Sequence, residues 1–189
     1  MSTNRTLSEL RAEFGRRRML AMPIAGTVAW SAAGVFGAIL PEADSASIAL
    51  FICMPAIFPI ALLISRFTGE DVFGTKGQNE LDRLFLLGIL TAILVWGIVI
   101  PFWMVEPSSL PLGAGILAGL MWVPLSWMLQ HWVGLFHAIA RTVLVLAAWF
   151  LFPDHRFVVI PAVIVIVYLI SIVALATRRL PDLASPSGA

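Results

Sequence analysis

The sequence predicts an all-α integral membrane bundle of six transmembrane helices, on three observations. The chain of 189 residues is 60% hydrophobic and only 12% charged, against about 25% charged in ordinary soluble domains. Its apolar residues fall in six runs, each near the roughly 20 residues that cross about 30 Å of hydrocarbon. Its basic residues gather in alternate connections, as they do when one side of a bilayer is cytoplasmic. With a mean hydropathy of +0.95, so much apolar surface has no place inside a soluble domain of this size. The bilayer must serve as the solvent.

The runs cover residues 19–40, 47–65, 84–105, 112–128, 133–152 and 157–176. Each should be helical, because lipid offers no partner to an unpaired backbone group. The runs are uniformly apolar and lack the period-two alternation of a membrane barrel. The fourth and fifth are separated only by Pro124 and the polar "LQHW". One continuous element there would be far too long for a single crossing, so a tight turn is expected at residues 130–132. The first run is read as a retained helix. Its apolar stretch exceeds that of a signal peptide, and "LPEADSA" offers no small-x-small cleavage site.

Charge sets the orientation. Arg5, Arg11, Arg16, Arg17 and Arg18 precede the first run; Arg66, Lys76 and Arg83 lie between the second and third; Arg178 and Arg179 follow the sixth. The opposite connections, "PEADSA", "EPSSLP" and "PDHR", hold only Arg156. This bias predicts a multi-pass protein of the cytoplasmic membrane with both termini cytoplasmic. The formal net charge of +1 predicts no nucleic-acid partner. The lone Cys53 sits in an apolar run and reads as an inert buried thiol.

Three units follow: a cytoplasmic segment 1–18, a six-helix domain 19–176 and a disordered cytoplasmic tail 177–189. In the first, Thr6 with Glu9 makes a capping box, and Leu7, Leu10 and Phe14 share one helical face. That pattern reads either as an ordinary basic flank or as an interfacial helix lying on anionic lipid. Ala21, Ala25, Ala29, Ala33 and Gly37 recur every four residues, as do Gly115 and Gly119. Such rows let helix backbones approach closely, within one chain or across a dimer. Prolines fall in five of the six runs (Pro23, Pro55 with Pro59, Pro101, Pro124, Pro161) and are expected to kink them. Trp103, Trp127, Trp132 and Trp149 fall near run ends, where an interfacial aromatic belt is the default explanation.

The stretch "QHWVGLFHAIAR", residues 130–141, holds the candidate site. If the fifth helix extends back that far, Gln130, Gly134, His137 and Arg141 are four, three and four apart and fall within roughly 40°. His131 points to another face. Arg141 is the one charged residue well inside a run, and an arginine at that depth needs a partner or a wet route out. Two readings compete. Arg141 snorkels toward the cytoplasmic end of its helix, helped by carbonyls that Pro124 frees. Alternatively, Arg141 faces a cytoplasm-open cavity and, with His137 and Gln130 of the same stripe as further candidate ligands, binds a small anion or a lipid phosphate.

Catalytic constellations are missing. No carboxylate pair lies within the runs, and there is no "HExxH", Cys/His metal cluster, "GxSxG" or Walker loop. His131 and His137 are six apart and make a poor metal pair. "GEDVFGTKGQNELDR", residues 69–83, carries glycines but follows no strand, so it is a solvated loop or a partner contact rather than a phosphate loop. No internal repeat is visible, which counts against a repeat-built transporter.

In the order of its helices and in "ELRAE" (residues 9–13), "DVF" (71–73) and "PLSW" (124–127), the chain resembles a family of small bacterial multi-pass membrane proteins of unknown function. The resemblance implies a fold class and a bacterial membrane and carries over no catalytic residue. The sequence thus predicts a non-enzymatic structural or interaction protein with no cofactor. Its expected partners are the lipid bilayer and either further copies of itself or another membrane protein. The rival is a small transporter or anion- or lipid-binding protein using Arg141 and His137.

Overall fold

The computed structural model describes residues 5–40, 42–70 and 79–181. Its helices are α1 (Leu7–Gly15), α2 (Ala21–Ile39), α3 (Ala43–Thr68), α4 (Glu80–Leu94), α5 (Trp96–Val105), α6 (Leu110–Leu120), α7 (Trp122–Leu129), α8 (Val133–Leu151) and α9 (Arg156–Thr177). Short 3-10 turns at Pro107–Ser109 and Pro153–His155 lead into α6 and α9. Six stretches are long and apolar enough to cross a membrane: Ala21–Ile39, Ala43–Thr68, Glu80–Val105, Pro107–Leu129, Val133–Leu151 and Pro153–Thr177. Four of these begin several residues before the apolar runs do. Their first turns are polar, so they fall outside any purely apolar window.

Two of the six stretches are interrupted. The third breaks at Val95 between α4 and α5, and the fourth at Met121 between α6 and α7. The second break has a clear cause. Pro124 lacks the N–H that would bond Leu120 and crowds that carbonyl, so the helix gives way at the next residue. Pro55, Pro59 and Pro161 lie inside α3 and α9 without splitting them. Pro23 sits in the first turn of α2, where its missing donor costs nothing.

One end of the bundle collects all the strongly basic segments. The capping box of α1 forms as expected, with Thr6 and Glu9 bonded reciprocally. Its apolar side, however, turns into the bundle: Phe14 is fully buried and Leu10 nearly so, against α4 and α7. Only Leu7 stands free for lipid. Asn79 fixes this packing. Its side chain caps α4 at Leu81 and donates to the Leu10 carbonyl at 2.8 Å. Arg5 beside Glu13 holds that carboxyl below the usual range, with help from Asn79 and Arg17. Arg17 pairs with Asp82 in both directions of its fork, and Arg178 donates to the Arg17 carbonyl. Glu70 accepts from the Leu20 and Ala21 amides at 3.0 Å, placing a carboxylate on the N-terminus of α2. The loop motif at residues 71–73 and most of the expected disordered tail, residues 182–189, lie outside the described residues.

The opposite end is tied by Arg156. Its guanidinium lies 3.4 Å from the Trp149 ring centroid and donates to the Ser108 hydroxyl at 2.6 Å. Glu106 accepts from both the amide and the hydroxyl of Ser108, and these bonds hold its carboxyl below the ordinary range.

The tightly packed half of the bundle is α2, α6, α8 and α9. The alanine row of α2 is consumed inside it: Ala21, Ala25, Ala29 and Ala33 are all buried. Gly34 and Gly37 lie against Pro161 and Phe157 of α9, and a Cβ on Gly37 would collide with the Phe157 backbone. The α4–α5 stretch is peripheral, with only 11% of its apolar window buried against 44% for the α6–α7 stretch.

Backbone cannot yield as a flexible side chain can. Gly37→Ala is therefore expected to destabilise the bundle by about 1–3 kcal/mol. Gly97→Ala, where a Cβ meets nothing within 4 Å, should leave the thermal midpoint in detergent unchanged. Equal midpoints for the two variants would refute the close α2–α9 approach.

Candidate functional site

Helix α8 begins at Val133, so the stripe loses its first member. Gln130 is the left-handed cap of α7 (φ 50°), is exposed, and donates to the Trp127 carbonyl at 2.7 Å. The expected turn at residues 130–132 forms, and it is tight. Ser126 donates to the His131 carbonyl at 2.6 Å, and the His131 amide returns to the Ser126 carbonyl. Gly134 lies against the α7 backbone, where a Cβ would meet the Trp122 carbonyl and the Ser126 amide. Burial, and then Arg178, push the His131 imidazole below its ordinary range. Neutral, it offers Nδ1 to the Val133 amide at 3.3 Å and caps α8.

His137 and Arg141 lie one turn apart on the inner face of α8, both at 0% exposure. Arg141 does not reach the helix end. Its Nε donates to the Gly115 carbonyl of α6 at 2.5 Å. That carbonyl is not the one Pro124 frees, which is Leu120's. The guanidinium carbon sits 5.1 Å from the Trp30 ring centroid and 5.3 Å from that of Tyr168, within cation–π reach of both. Nη1 approaches His137 Nε2 at 3.5 Å, and Nη2 makes no hydrogen bond among the described residues. No carboxylate of a described residue lies within ion-pair distance of Arg141.

The proton order can be read from the partners. Ser171 donates its one hydroxyl proton to the Val167 carbonyl at 2.8 Å. It must therefore accept from His137 Nδ1, at 2.9 Å. His137 then carries its proton on Nδ1 and turns the Nε2 lone pair toward Arg141. The imidazole is clamped by aromatic faces, stacked on Trp122 at 3.9 Å and 10° and tilted against Tyr168 at 4.8 Å.

Glycines make the room. A Cβ on Gly119 would lie 3.0 Å from the Arg141 Cδ, and one on Gly26 would lie 2.6 Å from the Tyr168 ring. The site therefore draws on α2, α6, α7, α8 and α9. Trp30, Trp122, Tyr168 and Ser171 were not singled out as site residues from the sequence, and Gly115 was marked there only as a packing residue. Only one signal was available: between Arg156 and Thr177 at its two ends, Tyr168 and Ser171 are the polar side chains of α9, three apart and so on one face. Among the described residues, no group of three or more His, Cys, Asp or Glu side chains could hold a metal ion.

Removing the Ser171 hydroxyl leaves the His137 Nδ1 proton without its acceptor. Ser171→Ala should cost about 1 kcal/mol. His137→Phe, which keeps a ring against Trp122 but removes the lone pair facing Arg141, should cost more. The double variant should fall short of the sum, because both act on one chain of bonds. Strict additivity in a thermal-denaturation cycle would break the proposed order.

No curated protein and no solved structure matches the chain. A family model covers residues 7–178, nearly the whole sequence and all six apolar stretches, and the chain therefore belongs to a family of unknown function, DUF7010.

Proposed function

We propose that this is a non-enzymatic, multi-pass protein of the bacterial cytoplasmic membrane, structural or interacting in role, with both termini on the cytoplasmic side. One observation carries the structural reading. Arg141 is enclosed by the chain's own groups: a carbonyl, an imidazole and two aromatic faces. A cation used this way locks four helices in register instead of waiting for a solute. The orientation is supported by charge, since the segments bearing Arg5 to Arg18, Arg66, Arg83, Arg178 and Arg179 meet at one end of the bundle.

A second reading, an anion or lipid-phosphate site at Arg141 and His137, is favoured by one detail. Nη2 of Arg141 is buried and makes no hydrogen bond among the described residues. Gln130, exposed at the turn, has no part in it.

Melting curves of purified protein and of Arg141→Gln separate the two. The structural reading expects the variant to lose stability, by about 2 kcal/mol or more, with no anion shifting the wild-type midpoint. Saturable stabilisation of wild type alone by phosphate or sulfate would replace it with the binding reading. Orientation is read independently on a Cys53→Ser background. Asp154→Cys should react with an impermeant maleimide in intact cells, and Arg66→Cys only after permeabilisation. The reverse pattern would invert the topology.

A further inference from the structure

A cavity of about 390 Å³ lies on the other side of the aromatic wall that Trp122 and Tyr168 make beside Arg141. That size is in the range of small-molecule sites. It exists because α3 and α4 scarcely touch: α3 packs on α2, while α4 leans on α1, α6 and α7. The gap between them is backed by α6, by α7 and by Tyr168 of α9. Its apolar walls include Met19, Met22, Met54 and Met121, flexible side chains that adapt to an irregular guest.

The cavity is long and has one charged end. Its lining along the α4–α5 stretch runs from Phe85 to Trp96, which rises about 16 Å. Among the described residues, its only charged lining residues are Arg17 and Glu70, both at the basic end of the bundle. Arg17 is already paired with Asp82, and Glu70 caps α2, so neither is a stray surface charge. Arg17 alone of the arginines lines the cavity, but the end of the bundle at which it opens carries excess positive charge among the described residues. Nine arginines (5, 11, 16, 17, 18, 66, 83, 178 and 179) face five carboxylates (9, 13, 70, 80 and 82). In the segments flanking Arg17, the Nε groups of Arg16 and Arg178 are screened from solvent and make no hydrogen bond among the described residues. The slot is also flanked by the most peripheral stretch, α4–α5, so it opens on the side where lipid would lie.

We propose that this slot holds one acyl chain of an anionic phospholipid from the leaflet at the basic end, with the phosphate among the arginines at its mouth. The match is of shape and charge together. An alkyl chain fills a narrow apolar slot of this length, and a phosphate takes the donors that the arginine collar leaves unused. The proposal is independent of the role of Arg141, because the aromatic wall separates the two sites.

The test uses the full chain in phosphatidylcholine vesicles containing a trace of phosphatidylglycerol with a diazirine in one acyl chain. After irradiation, crosslinks should concentrate in residues 85–96 and 114–125. Unlabelled phosphatidylglycerol should compete them away, and added phosphatidylcholine should not. Ala118→Phe and Ala92→Phe, which fill the slot from its back (α6) and from its α4 side, should each cut this labelling about threefold or more. Labelling at the outward-facing Phe150 should be unchanged. Melting curves verify that each variant is folded, and the competition arm in wild type stands even if one is not. Labelling spread evenly over outward helix faces would overturn the proposal as ordinary annular lipid. Equal competition by phosphatidylcholine would overturn the anionic headgroup. Diazirine-labelled palmitate that enters the slot and resists phosphatidylglycerol would overturn the phospholipid in favour of a free fatty acid.

Discussion

The burial of one guanidinium constrains the rest of this structure. Arg141 lies at 0% exposure with no acidic partner among the described residues. Placing an arginine at membrane depth costs about 2.5–3.5 kcal/mol on insertion scales. The surrounding helices offset that cost with weak acceptors in number. The Gly115 carbonyl takes Nε, the His137 lone pair faces Nη1, and the Trp30 and Tyr168 faces flank the cation. Each comes from a different place in the chain, so α2, α6, α8 and α9 must converge to supply them. A Cβ on Gly26 or Gly119 would press on the Tyr168 ring or the Arg141 side chain, and one on Gly115 would crowd Val145 and Ile164.

This convergence also explains the asymmetry of the bundle. The four helices around Arg141 are well buried, and the broken α4–α5 stretch is left at the edge. Close packing on one side and loose packing on the other leave the apolar gap between α3 and α4. Trp122 and Tyr168 belong to both regions, clamping His137 on one face and walling the cavity on the other. The basic end is finished differently, by discrete ion pairs and caps: Arg17 with Asp82, Asn79 with Leu10, Glu70 on the start of α2. The first two draw α1 onto α4, Arg11 over the Trp127 ring seats it on α7, and its Phe14 packs inward and is not left facing lipid.

The sequence by itself determined the class of object. Six long apolar runs, few charges and a basic bias in alternate connections are local properties, and the bilayer constraint converts them directly into helices. The turn at residues 130–132 and the capping box at Thr6 and Glu9 were legible for the same reason, since each rests on a few adjacent residues. So was the singling out of Arg141 and His137, which needed only helical spacing. The tertiary structure alone decided where Arg141 points, that its acceptor is the Gly115 carbonyl, and that Gln130 caps a helix and stays outside the site. It also decided that the alanine row of α2 faces inward and that α3 and α4 stand apart. The physical reason is that backbone carbonyls, glycine gaps and aromatic faces carry no mark in one-dimensional sequence. Their role depends on which helices lie side by side, and apolar runs of similar composition leave that order open.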